Sequence, residues 1–169
     1  MRFVGECFRA HDPAWAWDPL SGAGPALKGR RFNWPGLETL YLSLDYTTAV
    51  REVTAGFAHR LNPLVLCSYD VECEDIADLR DDAGRALLDV AMADLECAWG
   101  DALIAGRAPD SWAVVGRLLE TGHAGMLVPS FAHGANAADQ NLVLWRWGPN
   151  LPHRVRVHDP GDRLARLRP

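Results

Sequence analysis

The chain has 169 residues, of which 49% are hydrophobic and 23% charged, a composition that fits one soluble globular domain with a real core and excludes a disordered or fibrous chain. Its net charge of −5 argues against nucleic-acid binding through the whole surface. No apolar run approaches the roughly 18 residues of a membrane span, and the opening MRFVGECFRA is too short and polar for a signal peptide, so a cytoplasmic protein is expected.

Residues 1–9 alternate in part and predict a first strand. Residues 10–28 read as a loop rich in Pro, Gly and Trp, with Trp15 and Trp17 either folded onto the core or covering a ligand. Gly22-Ala23-Gly24 lies in this loop, but Pro25 follows it and no strong strand leads into it. No helix is expected to open from it, so it fails as a dinucleotide fingerprint. Pro35-Gly36 predicts a tight turn. Residues 40–44 alternate as a short strand, and Asp45 or Thr47 caps a helix running to about Arg60. The apolar stripe of that helix is Ala49, Val50, Val53, Phe57 and Leu61. Glu52 falls on its margin beside the small residues Ala49 and Gly56.

Asn62-Pro63 ends the helix. Residues 64–72 give the strongest strand signal, with Val65, Cys67, Tyr69 and Val71 on one face. Residues 75–82 are acidic and read as loop. Residues 83–99 predict one helix through Leu87, Leu88, Ala91 and Leu95, with Asp94 and Glu96 on its solvated face. Residues 100–108 form a connection with room for a short helix. Pro109-Asp110 caps a helix over 111–121 with the stripe Trp112, Val115, Leu118 and Leu119, closed by Gly122. A strand over 124–128 follows. The loop 129–140 is small and polar, the composition of a mobile surface segment. Strands are expected over 141–147 and around Val155 and Val157, and the basic end, 163–169, is expected to be exposed. The predicted fold class is α+β: a split, mainly antiparallel sheet flanked by helices, in a single domain over 1–169.

The chemistry-bearing residues concentrate in residues 29–52. Arg31 and Asn33 lie on a loop, Tyr41 and Ser43 on a strand, and Glu52 on a helix. An arginine grips phosphate with two parallel hydrogen bonds. A tyrosine stacks on a flat ring, and a glutamate stabilises a developing cation. The combination suits a nucleotide such as NAD. The alternative is a rim Glu52 that pairs with Arg51, Arg60 or the loop arginines. Arg30 and Arg31 point opposite ways in extended chain, so one meets a phosphate while the other faces solvent or a partner. Ser130, His133 and Asp139 invite a hydrolase reading, but the G-x-S-x-G elbow is absent, and three polar residues in one loop are common by chance. Cys7, Cys67, Cys73 and Cys97 have no CxxC spacing, and His59, His123, His153 and His158 lack ligand spacing, so no metal is expected.

Several pieces, in order, resemble the RES domain family, named for an arginine, a glutamate and a serine. They are Phe8-Arg9, the run from Gly29 to Asn33, Pro35-Gly36, Tyr41-Leu42-Ser43, and Ala49 with Glu52. Further on, Ala124 to Ser130 and Asn141 to Trp145 also match. Arg30 and Phe32 replace the second Gly and the Trp of the commoner GGRWN, and Phe131-Ala132-His133 stands where an arginine often follows the Pro-Ser pair. The resemblance implies an ADP-ribosyltransferase-like fold acting on NAD. It also implies a bacterial toxin held in a hetero-oligomer by an Xre-type antitoxin with a helix-turn-helix part, and no direct contact with nucleic acid or membrane. On it, Glu52, Arg31 and Tyr41 are the catalytic residues, and Arg31, Asn33, Tyr41, Ser43 and Ser130 bind NAD. The expected reaction is transfer of ADP-ribose to a protein. Cleavage of NAD by water or phosphate would need almost the same site, and a non-enzymatic partner-binding domain is the alternative of a different class.

Overall fold

The computed structural model describes residues 1–54 and 62–168. Seven strands form one sheet: β1 (Phe3–His11), β2 (Leu40–Ser43), β3 (Val65–Cys73), β4 (Ile76–Asp78), β5 (Gly125–Pro129), β6 (Gln140–Leu144) and β7 (His153–Val157). Their order is β4-β5-β6-β2-β1-β3-β7, and every pairing is antiparallel except β4 with β5. The halves meet at β1 and β2 through a single register pair, Phe8 with Ser43. The sheet is therefore split at that seam, as the sequence predicts.

Alternation along the strands separates two cores. Leu40, Leu42, Leu142, Leu144 and Leu127 face one side, where Leu20, Trp147 and Leu164 cover them. Tyr41, Val143, Met126 and Val128 face the other, under Val114, Val115 and Leu118 of α6 (Asp110–Glu120). The second face also carries α2 (Tyr46–Thr54), whose Tyr46 meets Phe8 of β1 edge-on at 6.1 Å. Polar residues sharing the second face near the seam, Ser43 and Asn141, are thus left between two groups of helices.

Most predicted elements are present. Asp45 caps α2, its Oδ1 accepting from the Thr47 amide at 2.8 Å. Pro35-Gly36 forms the turn, with Gly36 at φ +92°, a conformation that favours glycine. The continuation of α2 to Arg60, with Gly56, Phe57, His59 and Leu61, lies outside the described residues.

Four local expectations are corrected. A short helix, α1 (Ala23–Lys28), does open at Gly22, because Pro25 falls in its first turn, where the missing N–H has no intrahelical role. The expected acidic loop contains β4, a three-residue edge strand whose Ile76 and Ala77 are buried and whose Ile76 carbonyl accepts from the terminal amine. The single helix expected over 83–99 is two, α3 (Asp82–Leu87) and α4 (Met92–Glu96). Asp89 at φ +52° turns the chain so that Val90 is buried, and Leu87 is left 86% exposed. A third piece, α5 (Trp99–Ile104), fills the following connection. Finally, α6 buries Ser111 and Val114 where Trp112 and Leu119 were expected, a rotation of its stripe. Among the described residues no helix is long and apolar enough to cross a membrane, and no cluster of His, Cys, Asp or Glu could hold a metal. The four cysteines are unpaired.

Candidate functional site

The Arg31 loop is fastened carbonyl by carbonyl. Trp112 Nε1 donates to the Arg30 carbonyl at 2.8 Å, Ser111 Oγ donates to that of Arg31, and Trp145 Nε1 donates to that of Phe32 at 3.0 Å. Gly29 starts the loop at φ +74°; a Cβ there would lie 3.0 Å from the Asn33 carbonyl and from the Trp112 ring. Asn33 is fully buried. Its Nδ2 donates within the loop, to Pro25 O at 3.0 Å and to Leu37 O at 3.2 Å, and its Oδ1 accepts from the Tyr41 hydroxyl at 2.9 Å. The same hydroxyl accepts from the Phe32 amide at 3.1 Å. The phenol of Tyr41 is therefore committed to holding the arginine loop, and burial pushes its pKa well above the usual phenol range. Arg30 is exposed and Arg31 half-buried, on a turn closed by the Arg30–Asn33 bridge rather than in extended chain.

The Arg31 guanidinium is aimed by two groups. Its Nη1 donates to the Leu95 and Cys97 carbonyls, both at 2.8 Å, at the end of α4. Its plane lies 4.7 Å from the centre of the Phe131 ring. Those contacts leave the other edge of the fork for a ligand. Burial lowers its proton affinity, partly offset by the nearby Cys97 and Glu52; arginine stays charged regardless.

Glu52 of α2 is exposed. Its Oε1 accepts from Ser130 Oγ at 2.6 Å and from Asn141 Nδ2 at 2.5 Å. Ser43 and Asn141 are register partners on neighbouring strands, and Ser43 Oγ donates to Asn141 Oδ1 at 2.8 Å. The Glu52 carboxylate only accepts, so it fixes the NH2 end of the Asn141 carboxamide toward itself and leaves Oδ1 to accept from the Ser43 hydroxyl. Both donors converge on one carboxylate oxygen, which leaves Oε2 without a partner among the described residues.

The predicted residues thus fall into two connected groups. Arg31, Asn33 and Tyr41 form one; Glu52, Ser130 and Ser43 form the other. Consecutive residues join them, since Ser130 reaches Glu52 and Phe131 packs on Arg31. Ser130 does not meet His133 or Asp139 through its side chain: its hydroxyl goes to Glu52, and Asp139 is engaged by Thr48 and Arg51. Three participants escaped sequence reasoning. Asn141 had a signal, a polar residue at the start of a strand whose alternation puts it on the Tyr41 face. Phe131 and Ser111 had none, because each acts through a contact with Arg31, 80 residues away in the chain for Ser111 and further for Phe131. Two cavities, of about 750 and 510 Å³, lie elsewhere, one around Ser21, Glu38 and Trp147 and one around Cys67, His158 and Arg163. Neither is lined by Arg31, Tyr41 or Glu52.

Comparison with known proteins gives two findings. A family model described as the RES domain matches residues 6–166. Among solved structures, the chain is similar to one in the crystal structure of the M. tuberculosis MbcT–MbcA toxin–antitoxin complex, with a TM-score of 0.60 and 20% identity over 94% of this chain and 84% of that one. At that identity the likeness concerns the fold. No curated protein matches.

Proposed function

The chain belongs to the RES domain family, and on that premise we propose that it is the toxin of a toxin–antitoxin pair and that it cleaves NAD, passing ADP-ribose to a protein in the cytoplasm. The observation that carries the reading is that two polar groups are joined through the consecutive residues Ser130 and Phe131. Glu52 holds one oxygen on Ser130 and Asn141 and its other oxygen has no partner among the described residues, while Arg31 uses only Nη1 in its bonds to Leu95 and Cys97.

In this reading Arg31 holds the pyrophosphate and Tyr41 acts at the nicotinamide side. Ser43 and Ser130 border the ribose. Asn33 contributes by locking the loop to the Tyr41 hydroxyl. The C1′–nitrogen bond breaks with its electron pair going to nicotinamide, which leaves neutral and needs no proton. Positive charge builds on C1′ and the ring oxygen, and Glu52 stabilises it. An acceptor oxygen or nitrogen then bonds to C1′ and loses its proton. The exposure of Glu52 leaves room for a protein acceptor to approach the reacting carbon. A cognate antitoxin with a helix-turn-helix part would block the same cleft, and the exposed Arg30 beside it suits an acidic segment of that partner. The purified pair is then expected to be inactive on NAD until the antitoxin is removed.

The test is incubation of the protein with NAD in plain buffer, in phosphate and with cell lysate, followed by mass spectrometry. Free nicotinamide with ADP-ribose bound to protein is the expected result. Free ADP-ribose, or its phosphate ester in the phosphate arm, would identify water or phosphate as the acceptor. Absence of nicotinamide release in every arm would leave a non-enzymatic binding domain.

A further inference from the structure

One buried side chain ties the Ser130 loop to the helix that carries Glu52. Asp139 is 5% exposed and takes no part in the two groups described above. Its Oδ1 accepts from Thr48 Oγ1 at 2.6 Å, and Thr48 is fully buried on α2. Its Oδ2 accepts from the Asn136 amide at 2.7 Å and pairs with Arg51 Nη1 at 2.6 Å. Its own carbonyl accepts from the Ser130 amide at 2.8 Å. Arg51 immediately precedes Glu52, and Ser130 donates to Glu52, so Asp139 reaches both sides of the Ser130–Glu52 hydrogen bond, the helix side through its carboxylate and the Ser130 side through its main-chain carbonyl. The composition of the loop suggests a mobile surface segment; its closing residue is instead buried and fully engaged.

A buried carboxylate is costly unless its partners are matched. Here the Thr48 hydroxyl, the Asn136 amide and Arg51 hold Asp139 ionised, below the usual carboxylate range. An apolar residue would fill the same space without desolvating a charge, so stability alone does not account for an aspartate. The Glu52 bonds to Ser130 and Asn141 are exposed, and water competes for them. The Asp139–Thr48 bond is buried and uncontested.

We propose that Asp139 is a positioning residue: it locks α2 against the 130–139 loop so that Glu52 and Ser130 meet before substrate arrives. The proposal rests on the NAD-cleaving reading for its catalytic consequence. Its structural consequence, that α2 and the loop open together, stands without it.

The experiment uses the full chain and three variants, Asp139→Asn, Thr48→Val and Thr48→Ser. Thr48→Val removes only the hydroxyl and leaves the Asn136 and Arg51 partners in place, so it decides the matter if Asp139→Asn does not fold. Two measurements are made, nicotinamide release from NAD and hydrogen exchange without NAD. The expected result for Thr48→Val is a kcat, referred to the fraction of protein that is folded, at least about tenfold lower with KM within about threefold. In the exchange measurement, amides of 46–54 and of 130–139 lose protection together. Thr48→Ser restores both. Protection unchanged, or lost on one side only, overturns the proposal. So does joint loss of protection with kcat unchanged. If the parent releases no nicotinamide, the NAD reading falls and hydrogen exchange alone decides whether the lock exists.

Discussion

Replacing Glu52 by glutamine isolates its charge. In the Glu52→Gln variant the side-chain carbonyl can accept the same two bonds that Ser130 Oγ and Asn141 Nδ2 give Oε1, and the amide NH2 takes the place of the free oxygen. Packing and hydrogen bonding are preserved, so stability should change by less than about 1 kcal/mol, or roughly 2–4 °C in melting temperature for a chain of this size. The chemical step loses more. A carboxylate about 4 Å from a full positive charge is worth about 4 kcal/mol at a surface-like dielectric and about 1 kcal/mol in bulk water. A bound dinucleotide excludes water from the free oxygen, so the working figure is about 3 kcal/mol, roughly a hundredfold in rate. Because that charge develops only in the transition state, kcat should fall far more than NAD affinity. The assay is nicotinamide release, with an NAD titration and a melting curve on the same preparation. A Glu52→Gln variant that folds, binds NAD and turns it over within about threefold of the parent would refute the reasoning and leave Glu52 as a rim residue.

Arg31→Lys should weaken NAD binding by about 1.5–3 kcal/mol in a titration, because lysine cannot present a fork. Arg30→Lys should do much less, and equal losses would mean that both arginines line the site. Tyr41→Phe strips the Phe32 amide and Asn33 Oδ1 of their shared partner, so thermal unfolding should show a loss of about 1–3 kcal/mol. Stability should also fall in mild acid through His11, which is buried, is bonded to the Tyr69 hydroxyl at 2.7 Å and is pushed down to about 4 by burial. The unfolded chain takes up this proton near pH 6.5 while the folded chain resists until about 4. The contribution is therefore complete above about 6.5 and is lost as pH falls through that window, to the extent of about 2 kcal/mol at about pH 5. Melting curves at about pH 7 and about pH 5 test this against His11→Gln, which should show a smaller acid loss; an equal loss in both proteins would place the titration elsewhere.

The sequence by itself determined what depends on near neighbours. Alternation set the strands and, with them, which residues share the Tyr41 face. Pro35-Gly36 set its turn and Asp45 its cap, since turn and cap preferences are settled within a few residues. The order of Arg31, Tyr41 and Glu52 on loop, strand and helix was legible for the same reason, and so was the family resemblance. The sequence could not reveal β4, because so short a strand carries too little periodicity and owes its burial to β5, far along the chain. Nor could it reveal the break at Asp89: the helical spacing of Leu87, Leu88 and Leu95 is real, but burying Val90 and Leu95 together outweighs continuing the helix through Leu87. The site was divided likewise. Which residues are able to carry chemistry was readable from their types. That Asn141 and Ser130 share one oxygen of Glu52, that Phe131 and the end of α4 aim Arg31, and that Asp139 joins α2 to the Ser130 loop were decided only when β6 paired with β2 and the loop closed over α2. The shortest of those side-chain contacts, Arg31 to Leu95, already spans 64 residues of chain, and local preference has no purchase at that distance.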